Sequence, residues 1–157
     1  MLDALRRIVE DFASQASASE PSTRDGAVRL AAAVLFVEVM RADGRIDPSE
    51  RAAVRHALRE RFALSEDDAA RLAELAGSTA QAATDFFAFT SLIDERFDMA
   101  QKIAVVESMW RVAYADGALG DEERHVLWRL SDLLHVPHGA YVNARLRAQR
   151  DAGGGTS

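Results

Sequence analysis

The sequence contains no cysteine, only three prolines and a single lysine, Lys102. The absence of cysteine excludes disulfides, thiolate zinc sites, iron–sulfur ligation and a cysteine nucleophile. The scarcity of proline, beside abundant alanine, leucine, arginine and glutamate, favours helices over a turn-rich β-sandwich. The 157 residues, of which 48% are hydrophobic, are sufficient for one compact domain with a core of its own.

Basic residues are fewer than acidic residues, and the sequence has no long hydrophobic run. The 19 basic and 25 acidic residues give a net charge of −6, the opposite of the balance expected of a nucleic-acid-binding protein. The longest apolar run, residues 30–37, is far shorter than the roughly 20 residues that span a bilayer. The N-terminus lacks the apolar stretch of a signal peptide. We therefore expect no nucleic-acid partner, no transmembrane segment and a cytoplasmic location.

The spacing of apolar residues predicts an all-α fold. Residues 1–15 are predicted to carry an amphipathic helix, residues 16–25 a linker, residues 26–150 the helical domain and residues 151–157 a disordered tail. Asp47, Ser65 and Asp98 are predicted N-caps. Within the domain, helices are predicted at about 26–42, 48–62, 65–77, 79–97, 98–115, 121–135 and 138–150.

An internal repeat is the strongest signal in the sequence. Residues 42–50 and 115–123 share the pattern Ala-Asp-Gly-x-Ile/Leu-x-x-x-Glu, and the flanking residues match as well. The match covers a helix, a turn and the following helix, so it predicts two related helical hairpins that pack together. The matched flanking pairs are Arg29 with Lys102, Leu30 with Ile103, Ala31 with Ala104, Val39 with Val112, Arg51 with Arg124 and Val54 with Leu127.

These two motifs, together with the Leu-Trp-Arg-Leu-Ser-Asp-Leu-Leu segment at 127–134, resemble the TerB-like tellurite-resistance domains. That family shares its fold with the N-terminal region of DjlA-type co-chaperones. The resemblance implies a bundle of seven to eight helices over residues 26–150, acidic positions proposed for metal association, and a link to envelope or chemical stress. Gly120 stands where the first repeat has Asp47, so the two turns are not equivalent. No His-Pro-Asp motif is present, so J-domain chemistry is not implied.

The acidic turns are the candidate metal site, since hard divalent cations such as Ca²⁺ require several oxygen ligands. The spacing differs from that of an EF-hand, because the glycine directly follows the first aspartate. A structural reading stays open: the glycine ends one helix, the aspartate binds turn amides and the glutamate caps the next helix. The candidate ligands are Asp43, Asp47, Glu50, Asp116 and Glu123.

Other polar and aromatic residues are assigned structural roles. Glu38 and Glu107 interrupt apolar helices, and each is expected to meet an arginine or solvent; Arg111 lies four residues after Glu107. The four histidines do not form a rigid pair of ligands at helical spacing. An aromatic core cluster of Trp110, Tyr114 and Trp128 is predicted, as is a solvated basic face of Arg145, Arg147 and Arg150.

No catalytic constellation is present, since the sequence has neither a nucleophile elbow nor a phosphate loop. We therefore predict a non-enzymatic, stress-associated domain that binds a divalent cation weakly through its acidic turns. The alternative is a protein–protein interaction module, related to co-chaperone adaptors, whose acidic turns are purely structural and whose partner protein is unknown.

The first helix has an apolar stripe that must be buried somewhere. It can pack on its own domain, form a dimer contact or lie on a membrane surface. Self-packing is favoured because the helix also carries acidic residues, which anionic lipid disfavours. The stripe consists of Leu2, Leu5, Ile8, Val9 and Phe12.

Overall fold

The computed structural model describes residues 23–42, 44, 48–115 and 119–154, and within these residues it contains seven helices and no strand. The all-α prediction is therefore confirmed. The predicted helix at 1–15 and most of the linker at 16–25 lie outside the described residues. The helices are α1 Thr23–Arg41, α2 Pro48–Phe62, α3 Glu66–Ala82, α4 Phe87–Arg96, α5 Met99–Ala113, α6 Asp121–Leu133 and α7 His138–Gly154.

Helix α1 lies at the centre of the bundle. Each residue from position 30 to position 37 is at most 2% exposed, as expected of a helix that is apolar on nearly every side. It contacts α2, α3, α4, α5 and α6. No helix of the described residues is long and apolar enough to cross a membrane.

The repeat extends to a third helix in each half of the domain. Helix α3 packs extensively on α1, as α7 does on α5, and α4 connects the two halves. The buried positions of the two outer helices also correspond. Ala69, Leu72 and Ala76 of α3 match Tyr141, Ala144 and Ala148 of α7, and all six are buried.

Two predicted caps are confirmed. Ser65 Oγ accepts a hydrogen bond of 3.1 Å from the backbone N–H of Asp68 at the start of α3. Asp98 and Gln101 form a reciprocal capping box at the start of α5, with bonds of 2.8 and 2.9 Å. Asp47, the third predicted cap, lies outside the described residues.

The predicted break between helices at residues 77–79 is wrong. Helix α3 continues through Gly77 to Ala82, and α4 begins only at Phe87. Thr79 and Ala80 are buried at 5% and 4% exposure, and the Thr79 hydroxyl donates to the Leu75 carbonyl at 2.8 Å. A glycine inside a helix costs about 1 kcal/mol relative to alanine, and here tertiary packing offsets that cost.

Two helices also extend past the limits predicted for them. Residues 23–25, assigned to the linker, belong to the first turn of α1, and residues 151–154, assigned to the tail, continue α7. Asp25 lies near the positive end of the α1 dipole, and Asp151 forms an ion pair with Arg111. These interactions at the two ends of the helical bundle could not be predicted from local composition.

Deleting residues 1–20 tests the predicted self-packing of the first helix. If its apolar stripe packs on this domain, the truncated chain should melt at a lower temperature because that stripe no longer covers the bundle. Thermal melting combined with light scattering checks this. An unchanged midpoint would contradict self-packing, and a simultaneous fall in mass would identify a dimer contact.

Candidate functional site: the acidic turns before α2 and α6

Each acidic turn leads into a helix whose third residue is a buried glutamate. Glu50 in α2 is 0% exposed and Glu123 in α6 is 1% exposed. A carboxylate buried at this level is costly unless its charge is compensated. The same residue is therefore placed in the same unusual environment in both halves of the domain.

Glu123 serves as part of a helix cap. Its Oε1 accepts a hydrogen bond of 3.2 Å from the backbone N–H of Gly120. This is one half of a capping box, and the other half is missing because glycine has no side chain. The predicted capping role of this glutamate is confirmed, while its role as a metal ligand stays a prediction.

Gly44 follows the last turn of α1 and ends that helix, as predicted. Its φ of +78° lies in the left-handed region, which favours glycine over other residues. Its backbone N–H donates to the Arg41 carbonyl at 2.9 Å, so one of the terminal carbonyls of α1 is satisfied.

Of the five predicted ligands, Glu50 and Glu123 are described and are buried. Asp43, Asp47 and Asp116 lie outside the described residues. Within residues 23–42, 44, 48–115 and 119–154, no group of three or more histidine or acidic side chains is arranged to hold a metal ion. Metal binding at the turns therefore stays a prediction, which involves two described glutamates and three aspartates outside the described residues.

Two of the four histidines, His135 and His56, contact carboxylates. His135 Nδ1 lies 2.7 Å from Asp94 Oδ2, and His56 Nε2 lies 3.2 Å from Glu60. Asp94 also contacts Lys102 Nζ at 2.9 Å, which satisfies the largely buried lysine of α5.

An ion-pair network joins α5 to α7 and α2. Arg111 lies 3.0 Å from Glu107, as predicted, and 3.6 Å from Glu60. Arg147 also bonds Glu107. The prediction that Arg147 lies on a solvated basic face is therefore wrong. Sequence spacing identifies the pair within α5, but the α7 partner is 40 residues away and follows only from the packing of the two helices.

The aromatic cluster has a different membership from the predicted one. Trp110 is fully buried and packs on Tyr114 and Tyr141 at centroid distances of 6.0 and 5.1 Å. Arg145 covers it, with the guanidinium 5.2 Å from the Trp110 ring and Nε donating to Tyr114 at 2.8 Å. Trp128 is 50% exposed and is not part of the cluster, because its position on α6 faces outward.

Substitution of Glu123 separates capping from other roles. Gln at this position keeps an oxygen that can accept the Gly120 N–H, so E123Q should unfold close to the wild-type midpoint. E123A loses the cap and should be destabilised by about 0.5–2 kcal/mol. Urea denaturation measures both, and equal loss of stability in the two variants would contradict the capping role.

Glu38 gives a pH-dependent prediction. Burial raises the pKa of its carboxyl above the ordinary value, and the Arg41 guanidinium opposes that rise. Folding therefore disfavours the charged form, so stability is lost as the pH rises through the folded-state pKa. E38Q should be more stable than wild type at about pH 7, and this advantage should vanish at about pH 4.

Urea denaturation across this pH range measures the Glu38 effect, with the exposed Glu122→Gln as the control. A variant less stable than wild type at neutral pH would contradict the prediction.

Comparison with known proteins supports the family resemblance. The family model described as tellurite resistance protein TerB matches residues 29–146. A solved structure of a protein of unknown function from Porphyromonas gingivalis W83 superposes with a TM-score of 0.56 at 22% identity, covering 78% of this chain and 94% of that one. That likeness shows the fold alone. No curated protein matches the chain significantly. With the match covering most of the helical bundle, the chain belongs to the tellurite resistance protein TerB family.

Proposed function

We propose that this TerB-family domain is a non-enzymatic stress-associated module that binds a divalent cation weakly at its two acidic turns. The observation that carries the proposal is the matched burial of Glu50 and Glu123, each at the end of an Asp-Gly turn in its own half of the domain. The family name associates such domains with tellurite resistance. The turns supply carboxylate oxygens, which are the ligands that hard divalent cations prefer.

The two turns should differ in affinity. The first brings Asp43, Asp47 and Glu50 together within eight residues, whereas the second has Gly120 at the position of Asp47. Both glutamates lie at helix N-termini, where the helix dipole favours negative charge and opposes a bound cation. Binding is therefore expected to be weak, with the first turn the stronger site.

Isothermal titration tests the proposal. Ca²⁺, Mg²⁺, Mn²⁺ and Zn²⁺ are titrated into wild type and into the double variant D43N/D116N. A matched control, D67N/D132N, removes the same charge from exposed positions on α3 and α6. Wild type and the control should bind one of these ions, and D43N/D116N should not. Absence of heat at millimolar ion, or equal binding by the D43N/D116N variant, contradicts the proposal.

A gain-of-affinity variant makes the test sharper. G120D restores the carboxylate that the second turn lacks, and a Cβ at this position meets Glu123 Oε1 and Glu122 Oε2 at ordinary distances of 3.5 and 3.6 Å. The second turn should then bind the ion more tightly. Unchanged binding in G120D would contradict a ligand role for this position of the turn.

A protein–protein interaction module is the second candidate. The large exposed apolar side chains Trp128 and Leu146, each 50% exposed, favour this function. Such exposed aromatic residues are common anchors in protein interfaces. Two results would support this second function. A pull-down should recover a partner with wild type and with D43N/D116N but not with W128S, and the metal titrations should show no binding.

A further inference from the structure

A cavity of about 440 Å³ lies between the C-terminal half of α1, the first turns of α2 and the middle of α3. Its floor is formed by Val37, Met40 and Val54, which are buried at 2%, 7% and 1% exposure. Arg41, Arg51 and Arg55 also line it, and the last two are exposed at its mouth. The volume is in the range of pockets that bind small molecules.

In the second half of the domain, larger side chains stand at the corresponding positions. Trp110 stands at the repeat position of Val37, and Tyr114 at that of Arg41. Arg145 of α7, which matches Ala73 of α3 in the alignment of buried positions, lies over the Trp110 ring. The cavity is therefore a property of the first half's own side chains and not of the shared helical arrangement.

Gly77 keeps the cavity open on the α3 side. A Cβ built on this glycine meets no atom within 4 Å outside its own helix. A helix-interior glycine is less favourable than alanine by about 1 kcal/mol, and no backbone constraint requires it here, since its φ is ordinary. The absence of a side chain leaves room in the cavity.

The charge of the cavity favours an anion. Among the described residues, the cavity is lined by one carboxylate, that of Glu74, and by three guanidinium groups. None of these arginines forms an ion pair with any described carboxylate, although Arg41 interacts electrostatically with Glu38. Arg51 and Arg55 are four residues apart on α2 and so lie on the same face of the helix. Guanidinium groups bind phosphate and carboxylate in a bidentate geometry.

We propose that this cavity binds a small soluble organic anion, with its apolar body on the buried floor and its phosphate or carboxylate head held by Arg51 and Arg55. Arg41 supplies a third positive charge from the end of α1. The ligand needs both parts, because the floor is apolar and the arginines lie toward the mouth. The proposal goes beyond the metal-binding function and does not depend on it.

Calorimetric titration of 1-naphthyl phosphate and 1-naphthoate into the full chain tests the proposal. A chelator in every solution makes the outcome independent of metal binding. At least one of the two probes should bind saturably with one site per chain, and the tighter one identifies the preferred head group. Neutral 1-naphthol and inorganic phosphate, which each lack one part, should bind at least about tenfold more weakly.

Variants locate the site. R51Q and R55Q should each weaken binding about tenfold, as expected on loss of a charge-assisted hydrogen bond. Substitution of the exposed Arg150, which is not among the residues that line the cavity, by Gln should leave binding unchanged. G77L places a side chain in the cavity and should abolish binding. G77A adds only a methyl group, so it should bind like wild type, and its thermal melt shows that position 77 tolerates a side chain.

Four results would overturn the proposal. They are no binding of either anionic probe, equal binding by folded G77L, equal binding of 1-naphthol, and arginine variants that bind like wild type. Sedimentation of the chain with phosphatidylglycerol vesicles, together with absent binding of the soluble probes, would assign the arginines to a lipid surface instead.

Discussion

The enclosure of α1 on every side is the constraint on which the rest of the structure depends. Its apolar residues at 30–37 cannot face water, so five other helices must be arranged around it. The chain reverses direction between α1 and α2, and α2 packs back on the helix that precedes it. This reversal places Glu50 in the interior at the start of α2. The acidic turn thus combines a structural task, ending one helix and starting the next, with a set of carboxylates concentrated in a short segment.

The second half repeats this plan with different side chains. Helix α5 takes the place of α1, and Glu123 takes the place of Glu50, with Gly120 bonded to its carboxylate. In the half that contains α5, Trp110 packs against Tyr114 and against an arginine from α7. In the half that contains α1, the corresponding positions line a cavity with arginines at its mouth. Duplication of a helical unit followed by divergence of the packed residues can leave one half stabilised by aromatic packing and the other available for a ligand.

Local and repeated features were predictable from the sequence, and features that depend on packing between distant helices were not. Ser65 and Asp98 cap helices as predicted because capping depends on residues three positions apart. The sequence predicts a helix end at Gly77, yet α3 continues to Ala82 because the residues after Gly77 are buried against the rest of the bundle. Arg147 was assigned to solvent because its partner on α5 is distant in sequence. Trp128 could not be separated from the aromatic core by composition, since its outward position follows from how α6 docks. The acidic turns were recognisable from the repeat, but only two of their five candidate ligands are described.

The central claim, that the two acidic turns hold a divalent cation, is tested most directly by locating the ion in solution. Substoichiometric Mn²⁺ broadens the NMR signals of nearby amides, so assigned spectra report where the ion resides. We predict broadening confined to residues 42–51 and 115–124, stronger in the first segment and reversed by Ca²⁺ or Mg²⁺. Broadening that is absent from both segments, or spread evenly over exposed acidic residues such as Asp67 and Asp132, would contradict it.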